Sequence, residues 1–246
     1  GIKDSIPDDT ISLFKKRVYD IIPCTDGKID VYFNDKKIDI KTFKDYMSLY
    51  VQNKVIIKNP NKKSGEEDND ENDEELLDEE YDKIIGSEDN FPIIHQKINE
   101  RWSIGMCLSP TVGFKQVSFV NGINTTRGGR HVDYITKQIT SHLVTQIHKK
   151  RHIRVKESMI KENIMIFLVS TIVNPSFDSQ TKETLTTNKS KFGSECIIPT
   201  KLIDELGSSG VIARAINLNS FHEKQLLTKT DGKKKSHLHD IEKLDD

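Results

Sequence analysis

Two spacings of apolar residues alternate along this chain, and the points where one gives way to the other outline its elements. Ile11, Phe14, Val18 and Ile21 recur at helical spacing behind Asp8-Asp9-Thr10, which offers N-cap residues. Lys28–Phe33 then alternates, with Ile29, Val31 and Phe33 on one side; Asn34-Asp35 turns the chain, and Ile38 and Ile40 continue the pattern, as in a hairpin. Thr42 can cap a short helix carrying Phe43, Met47 and Tyr50. Ile93–Ile98, Arg101–Leu108 and Phe114–Val120 have strand character, the last running into Asn121-Gly122. A Gly128-Gly129 loop leads to a helix from His131 to about Lys149, with Val132, Ile135, Ile139, Leu143 and Ile147 as its apolar stripe. Met165–Ile172 is apolar without alternation and short, as expected of a central strand buried on both faces. Thr200–Leu206 and Val211–Leu227 read as helices separated by Gly207-Ser208-Ser209-Gly210. The pattern predicts an α+β chain with no internal repeat.

Charge changes the picture at one place. From Asn59 to about Asn90 the composition turns to Asn, Asp, Glu, Lys and Ser, and Glu66–Asp82 holds twelve acidic residues and no Lys or Arg. Such a stretch cannot bury enough apolar surface to offset its ordering entropy, so 59–90 is expected to be a disordered surface insert; the rival is an acidic segment that binds a basic partner. Without those twelve, 37 basic residues stand against 26 acidic ones, a balance of +11 in place of the formal −1. The body is basic, which suits a polyanionic partner.

Cys24, Cys107 and Cys196 lie far apart, with no C-x-x-C pair, so neither a zinc ribbon nor a redox motif is supported and three buried thiols are expected. The chain has no apolar stretch long enough for a membrane helix and no signal peptide, and reads as soluble and intracellular. Phosphate loops of the G-x-x-x-x-G-K-[ST] type, the G-x-G-x-x-G fingerprint and the G-x-S-x-G elbow are all missing. No His and carboxylate cluster has metal spacing, and His237-Leu238-His239 sits in a polar tail. No complete active site is assembled.

Three segments carry candidate chemistry. Asn174-Pro175-Ser176-Phe177-Asp178-Ser179-Gln180-Thr181-Lys182 follows the buried strand as a loop, from which a lysine can reach a terminal phosphate as a point charge; most loop lysines are merely solvated. His148-Lys149-Lys150-Arg151-His152-Ile153-Arg154 ends the long helix, where cations favour the helix dipole and otherwise face water, on sequence alone a more economical reading than contact with nucleic acid. The two glycines of Gly128-Gly129-Arg130-His131 permit a tight strand-to-helix turn at positive φ, a more economical reading than ligand contact.

Four stretches occur in an order that resembles eukaryotic DNA topoisomerase II: Phe14–Asp20 (FKKRVYD), Ser118–Tyr134 (SFVNGINTTRGGRHVDY), Asn174–Glu183 with its Gln-Thr-Lys, and Lys243–Asp246 (KLDD). The likeness covers nearly all of the chain except the acidic insert, and it is to the transducer domain of that family's ATPase region. It implies a fold like the second domain of ribosomal protein S5, a sheet with packed helices, a left-handed βαβ crossover and further C-terminal helices. Residues 1–246 would be the transducer and 231–246 a linker toward an absent DNA-cleaving core.

The resemblance also implies roles. Gln180, Thr181 and Lys182 would contact ATP, with Lys182 catalytic at the γ-phosphate; the nucleotide and Mg2+ would be held mainly by an upstream domain, and this chain alone would be inactive. His148, Lys149, Lys150, Arg151 and Arg154 would form a DNA-sensing cluster reading phosphates without base specificity, although His148 stands where a lysine is expected, so part of that charge depends on pH. No metal ligand and no membrane partner are implied. The parent would be a nuclear, homodimeric isomerase coupling ATP turnover to DNA passage. The rivals are a stand-alone S5-like nucleic-acid-binding module and the equivalent domain of a bacterial gyrase or mismatch-repair ATPase; Ser118–Tyr134 and the chain's ending resemble the eukaryotic enzyme better.

Overall fold

The computed structural model describes residues 6–25, 27–51 and 92–230, so the insert expected at 59–90 and the tail at 231–246 lie outside the described residues. Ile164–Ser170 forms a strand with both faces covered, which is why its sequence does not alternate. It is β8, the middle strand of a five-stranded sheet whose other members are β3 (Ile94–Asn99), β4 (Trp102–Leu108), β5 (Lys115–Val120) and β6 (Ile123–Asn124), in the order β3-β4-β8-β5-β6. Pairing is antiparallel except between β5 and β8, which run parallel with Ser118 opposite Leu168. Parallel neighbours need a crossover. The long helix within it is α3 (Arg130–Arg151), followed before β8 by a short one.

The two faces of the sheet are covered by different helices. Ile104, Met106 and Leu108 of β4 and Ile164, Ile166 and Leu168 of β8 share a cluster with Val132, Ile135, Ile139, Leu143 and Ile147, the predicted stripe of α3. Cys107, Phe119, Met165 and Phe167 point the other way, into a cluster with Phe43, Tyr46 and Met47 of α2 (Phe43–Val51). Gly105 admits α2 to that face: a Cβ there would lie 2.0 Å from the Met47 sulfur. Behind α3 the chain adds the short α4 (Glu157–Lys161), then α5 (Thr200–Leu206) and α6 (Ile212–Thr230). This mixed sheet with packed helices is the α+β class expected.

Several boundaries and burials differ from expectation. The helix α1 (Asp8–Tyr19) is present, but no side chain caps its N-terminus and none of its residues is buried. Its predicted face is open to solvent at Ile11 and Phe14, as is Ile21 just beyond it. The hairpin is shorter than Lys28–Phe33 suggested: only β1 (Tyr32–Phe33) and β2 (Lys36–Lys37) pair, across Asn34 and Asp35 at φ 49° and 60°, a turn that matches strand twist. Thr42 does cap α2, in a reciprocal box: the Asp45 N–H donates to the Thr42 hydroxyl (3.1 Å) and the Thr42 N–H to the Asp45 carboxylate (3.0 Å). Between α5 and α6 the chain kinks, as the Gly207-Ser208-Ser209-Gly210 separator predicts, with non-helical dihedrals at Ser209 and Gly210 (φ 102°). Cys107 and Cys196 are buried thiols, whereas Cys24 is only half-buried.

Candidate functional site

The loop that follows β8 is laced to itself. The Thr186 N–H donates to the Ser176 carbonyl (2.9 Å) and the Ser176 N–H to the Thr187 hydroxyl (2.7 Å). Asp178 accepts from the Thr184 N–H (3.1 Å), and Phe177 bridges to Leu185, whose side chain is fully buried. These bonds leave Ser179–Lys182 as the tip. There the Lys182 N–H donates to the Ser179 carbonyl (3.1 Å) with Lys182 at φ 57°, and the Ser179 and Thr181 hydroxyls are 2.8 Å apart. Gln180 and Thr181 are exposed and Lys182 half-buried. The Lys182 ammonium sits 5.8 Å from the centre of the Phe177 ring and makes no ion pair among the described residues. A cation at a loop tip, lightly held by an aromatic face, can turn toward an anion without first breaking a salt bridge.

The loop is anchored on both sides. At its start Asn121, in the turn after β5, exchanges two hydrogen bonds with the backbone of Ile172 (2.8 and 3.0 Å). At its end Thr184–Leu185, which is β9, runs parallel to β7 (Gly128–Gly129), with Gly128 opposite Thr184 and Gly129 opposite Leu185. The Arg127 N–H adds a bond to the Glu183 carbonyl (3.0 Å), and the Arg127 guanidinium pairs with the Glu183 carboxylate (3.0 Å). The glycine pair therefore does more than permit a turn: Gly129 is at φ 126°, and a Cβ on it would lie 2.4–2.9 Å from the backbone of Leu185. Neither Arg127 nor Glu183 was singled out by the sequence, for they are far apart along it and meet only through β7 and β9.

Beyond β7 the chain enters α3 directly. His131 in its first turn is buried, its Nε2 3.3 Å from the Thr125 hydroxyl and its Nδ1 without a hydrogen-bond partner. Burial pushes its pKa down to about 3, so the imidazole is neutral. A packed core side chain occupies that place in the glycine-rich segment.

The cationic cluster lies at the other end of α3. His148, Lys149, Lys150 and Arg151 form its last turn, His152 ends it in the left-handed conformation, and Arg154 follows; all are exposed and make no ion pair among the described residues. The 22-residue α3, roughly 33 Å long at 1.5 Å per residue, runs from the segment that braces the lysine loop to the cationic cluster. Gln180, Thr181 and Lys182 come together on one loop, the cluster forms another surface, and the fold does not merge them. Among the described residues no three His, Cys, Asp or Glu side chains are grouped so as to hold a metal ion, and no helix is long and apolar enough to cross a membrane.

Comparison with known proteins agrees with this architecture. The DNA gyrase B family model matches residues 42–236. The DNA topoisomerase 2 of Arabidopsis thaliana is 37% identical over 98% of this chain, which spans only 14% of that protein. The solved ATPase region of Saccharomyces cerevisiae topoisomerase II is 34% identical, with a TM-score of 0.64 over 87% of this chain and 46% of that one. The ATPase and transducer domains of DNA topoisomerase II from Balamuthia mandrillaris give a TM-score of 0.69 at 29% identity, over 90% of this chain and 47% of that one. With most of its length matched by the family model, the chain belongs to the DNA gyrase B family and corresponds to part of the ATPase region of that family's topoisomerase II members.

Proposed function

We propose that this chain is the transducer module of an ATP-dependent type II DNA topoisomerase, with 1–246 as one domain, 59–90 as an insert within it and 231–246 as the linker toward a DNA-cleaving core. In this reading ATP and Mg2+ are held by an upstream domain of the same protein, which works as a homodimer in the nucleus. The nucleotide supplies the γ-phosphoryl group. Lys182 supplies a fixed positive charge that stabilises charge developing there, and Gln180 and Thr181 offer hydrogen-bond partners beside it. When the γ-phosphate is lost Lys182 loses its partner, which lets hydrolysis be felt by the rest of the domain. His148, Lys149, Lys150, Arg151 and Arg154 meet DNA phosphates, so that contact is independent of base sequence and weakened by salt.

The observation that carries the reading is the Lys182 ammonium at the loop tip, without a carboxylate partner among the described residues while the carboxylate of adjacent Glu183 is engaged by Arg127. Lys182→Ala in the full-length enzyme is expected to slow ATP hydrolysis by roughly ten- to a hundredfold while nucleotide affinity falls modestly, because the inner phosphates and base are bound elsewhere. Lys182→Arg restores little, since a planar fork does not replace a compact ammonium at a single oxygen. Steady-state ATPase and DNA relaxation on the purified mutant test this; near wild-type rates in both would remove Lys182 from the site. Replacing Lys149, Lys150 and Arg151 with Ala is expected to blunt stimulation of ATPase by DNA, leave basal turnover nearly intact, and flatten the salt dependence of DNA binding.

A further inference from the structure

The loop that carries Lys182 is braced mostly by bonds within itself, and those would travel with it. Ser176 to Thr186 and Thr187, Asp178 to Thr184, and Lys182 to Ser179 all join one part of the loop to another. On the lysine side, the brace from outside the loop is the segment Arg127–Gly129. It holds Glu183 twice, by the Arg127 N–H at the carbonyl and by the guanidinium at the carboxylate, and it holds Thr184 and Leu185 through the β7–β9 ladder.

That brace is itself fixed. Gln116 of β5 donates to the carbonyls of Thr125 (3.2 Å) and Thr126 (2.9 Å), the Thr125 N–H donates to the Ser118 carbonyl (2.8 Å), and the Thr125 hydroxyl lies between buried Ser118 and His131. The segment therefore has the sheet behind it and the first turn of α3 ahead of it. Its contact with the loop is close at Gly129, where both the positive φ and the Leu185 backbone, which an added Cβ would strike, exclude a side chain. Arg127 has a second effect. With the Glu183 carboxylate engaged by a guanidinium, the ammonium one residue earlier is spared a neighbouring carboxylate that would compete for it.

We infer that Arg127 and Gly129 are positioning residues for Lys182: they set where its ammonium stands and tie the loop to the start of the helix that ends in the cationic cluster. This inference rests on the reading that Lys182 meets the γ-phosphate. Neither residue touches the nucleotide; both act through the lysine, so their effects must vanish when the lysine is gone.

A double-mutant cycle on the full-length enzyme tests this, with kcat and KM for ATP as readouts. Gly129→Ala is expected to lower kcat by roughly tenfold or more and Arg127→Met by roughly three- to tenfold, each with KM changed less than about threefold. In the Lys182→Ala background neither should lower kcat further. Arg127 and Glu183 are solvent-accessible, so Arg127→Met keeps the test open if Gly129→Ala fails to fold. Wild-type kcat in Arg127→Met, or a loss of the same factor with and without Lys182, would overturn the inference while leaving the role of Lys182 standing. Wild-type turnover in Lys182→Ala alone would instead overturn the reading on which it rests.

Discussion

Helices α1 and α3 advertise the same apolar spacing and end up in opposite conditions. The stripe of α3, Val132 to Ile147, is wholly buried against β4 and β8. In α1 no residue is buried, and Ile11, Leu13 and Phe14 are 40–51% exposed. Tyr19 at its last position packs against the apolar cluster of α2 and the sheet, and polar bonds add to that anchor. Asp20, which caps its C-terminus, accepts from the Tyr46 hydroxyl of α2 (2.7 Å) and from Lys16 (2.7 Å), and the Tyr46 hydroxyl also meets that of Tyr50 (2.8 Å). Burial and these neighbours push the Tyr46 phenol well above the usual range, so it serves as a donor. Amphipathic spacing thus states that a face can be covered, not that this chain covers it.

The largest effect expected from breaking the contrast is at Leu143, fully buried in the middle of α3. Leu143→Ala should cost about 2–5 kcal/mol, through lost transfer energy and a cavity, in denaturant unfolding of the chain. A cost below about 1 kcal/mol would mean that the α3 face is loosely packed. Next is the polar anchor: Tyr46→Phe removes a donor from buried Asp20 and should cost about 1–3 kcal/mol. A neutral result would leave the packing of Tyr19 as the main hold on α1.

A pH series probes the buried start of α3. His131 binds its proton far more weakly in the fold, with a pKa of about 3, than in the unfolded chain at 6.5. The unfolded state therefore takes up protons first as pH falls, and stability is full above 6.5 and declines below it. Between pH 6.5 and 5.5 this one residue should remove about 1 kcal/mol, and His131→Gln should flatten that part of the profile. An unchanged slope would place the acid sensitivity elsewhere. The smallest change is expected at α1: Phe14→Ser should alter the stability of this chain by less than about 0.5 kcal/mol. A much larger loss in the full-length protein than in this chain would show that another part of the molecule covers that face.

Much of the fold was legible because local rules and tertiary contacts agree over long stretches. The 22-residue α3 and the uninterrupted apolar β8 left little ambiguity of period, and the Thr42 cap of α2 was readable from its own spacing. The hairpin was located by Asn34-Asp35, yet its length was not, since alternation of Ile29, Val31 and Phe33 describes side chains rather than which backbone groups pair. At the candidate site, Gln180–Lys182 and the cations from His148 to Arg154 were identified as residue types in a resemblance. How the lysine loop is held was not legible.

By itself the sequence determined the α+β class, the strand at the centre of the sheet, the buried face of α3 and the turn chemistry around the glycines, because each depends on spacing within a few residues. Only the tertiary structure decided that Arg127 reaches Glu183, that Gly129 lies flat on Leu185, that His131 is sealed in the core, and that α1 keeps its apolar face open. Those outcomes depend on which segments the sheet brings side by side, and a pattern read along one chain carries no information about its neighbours across the fold.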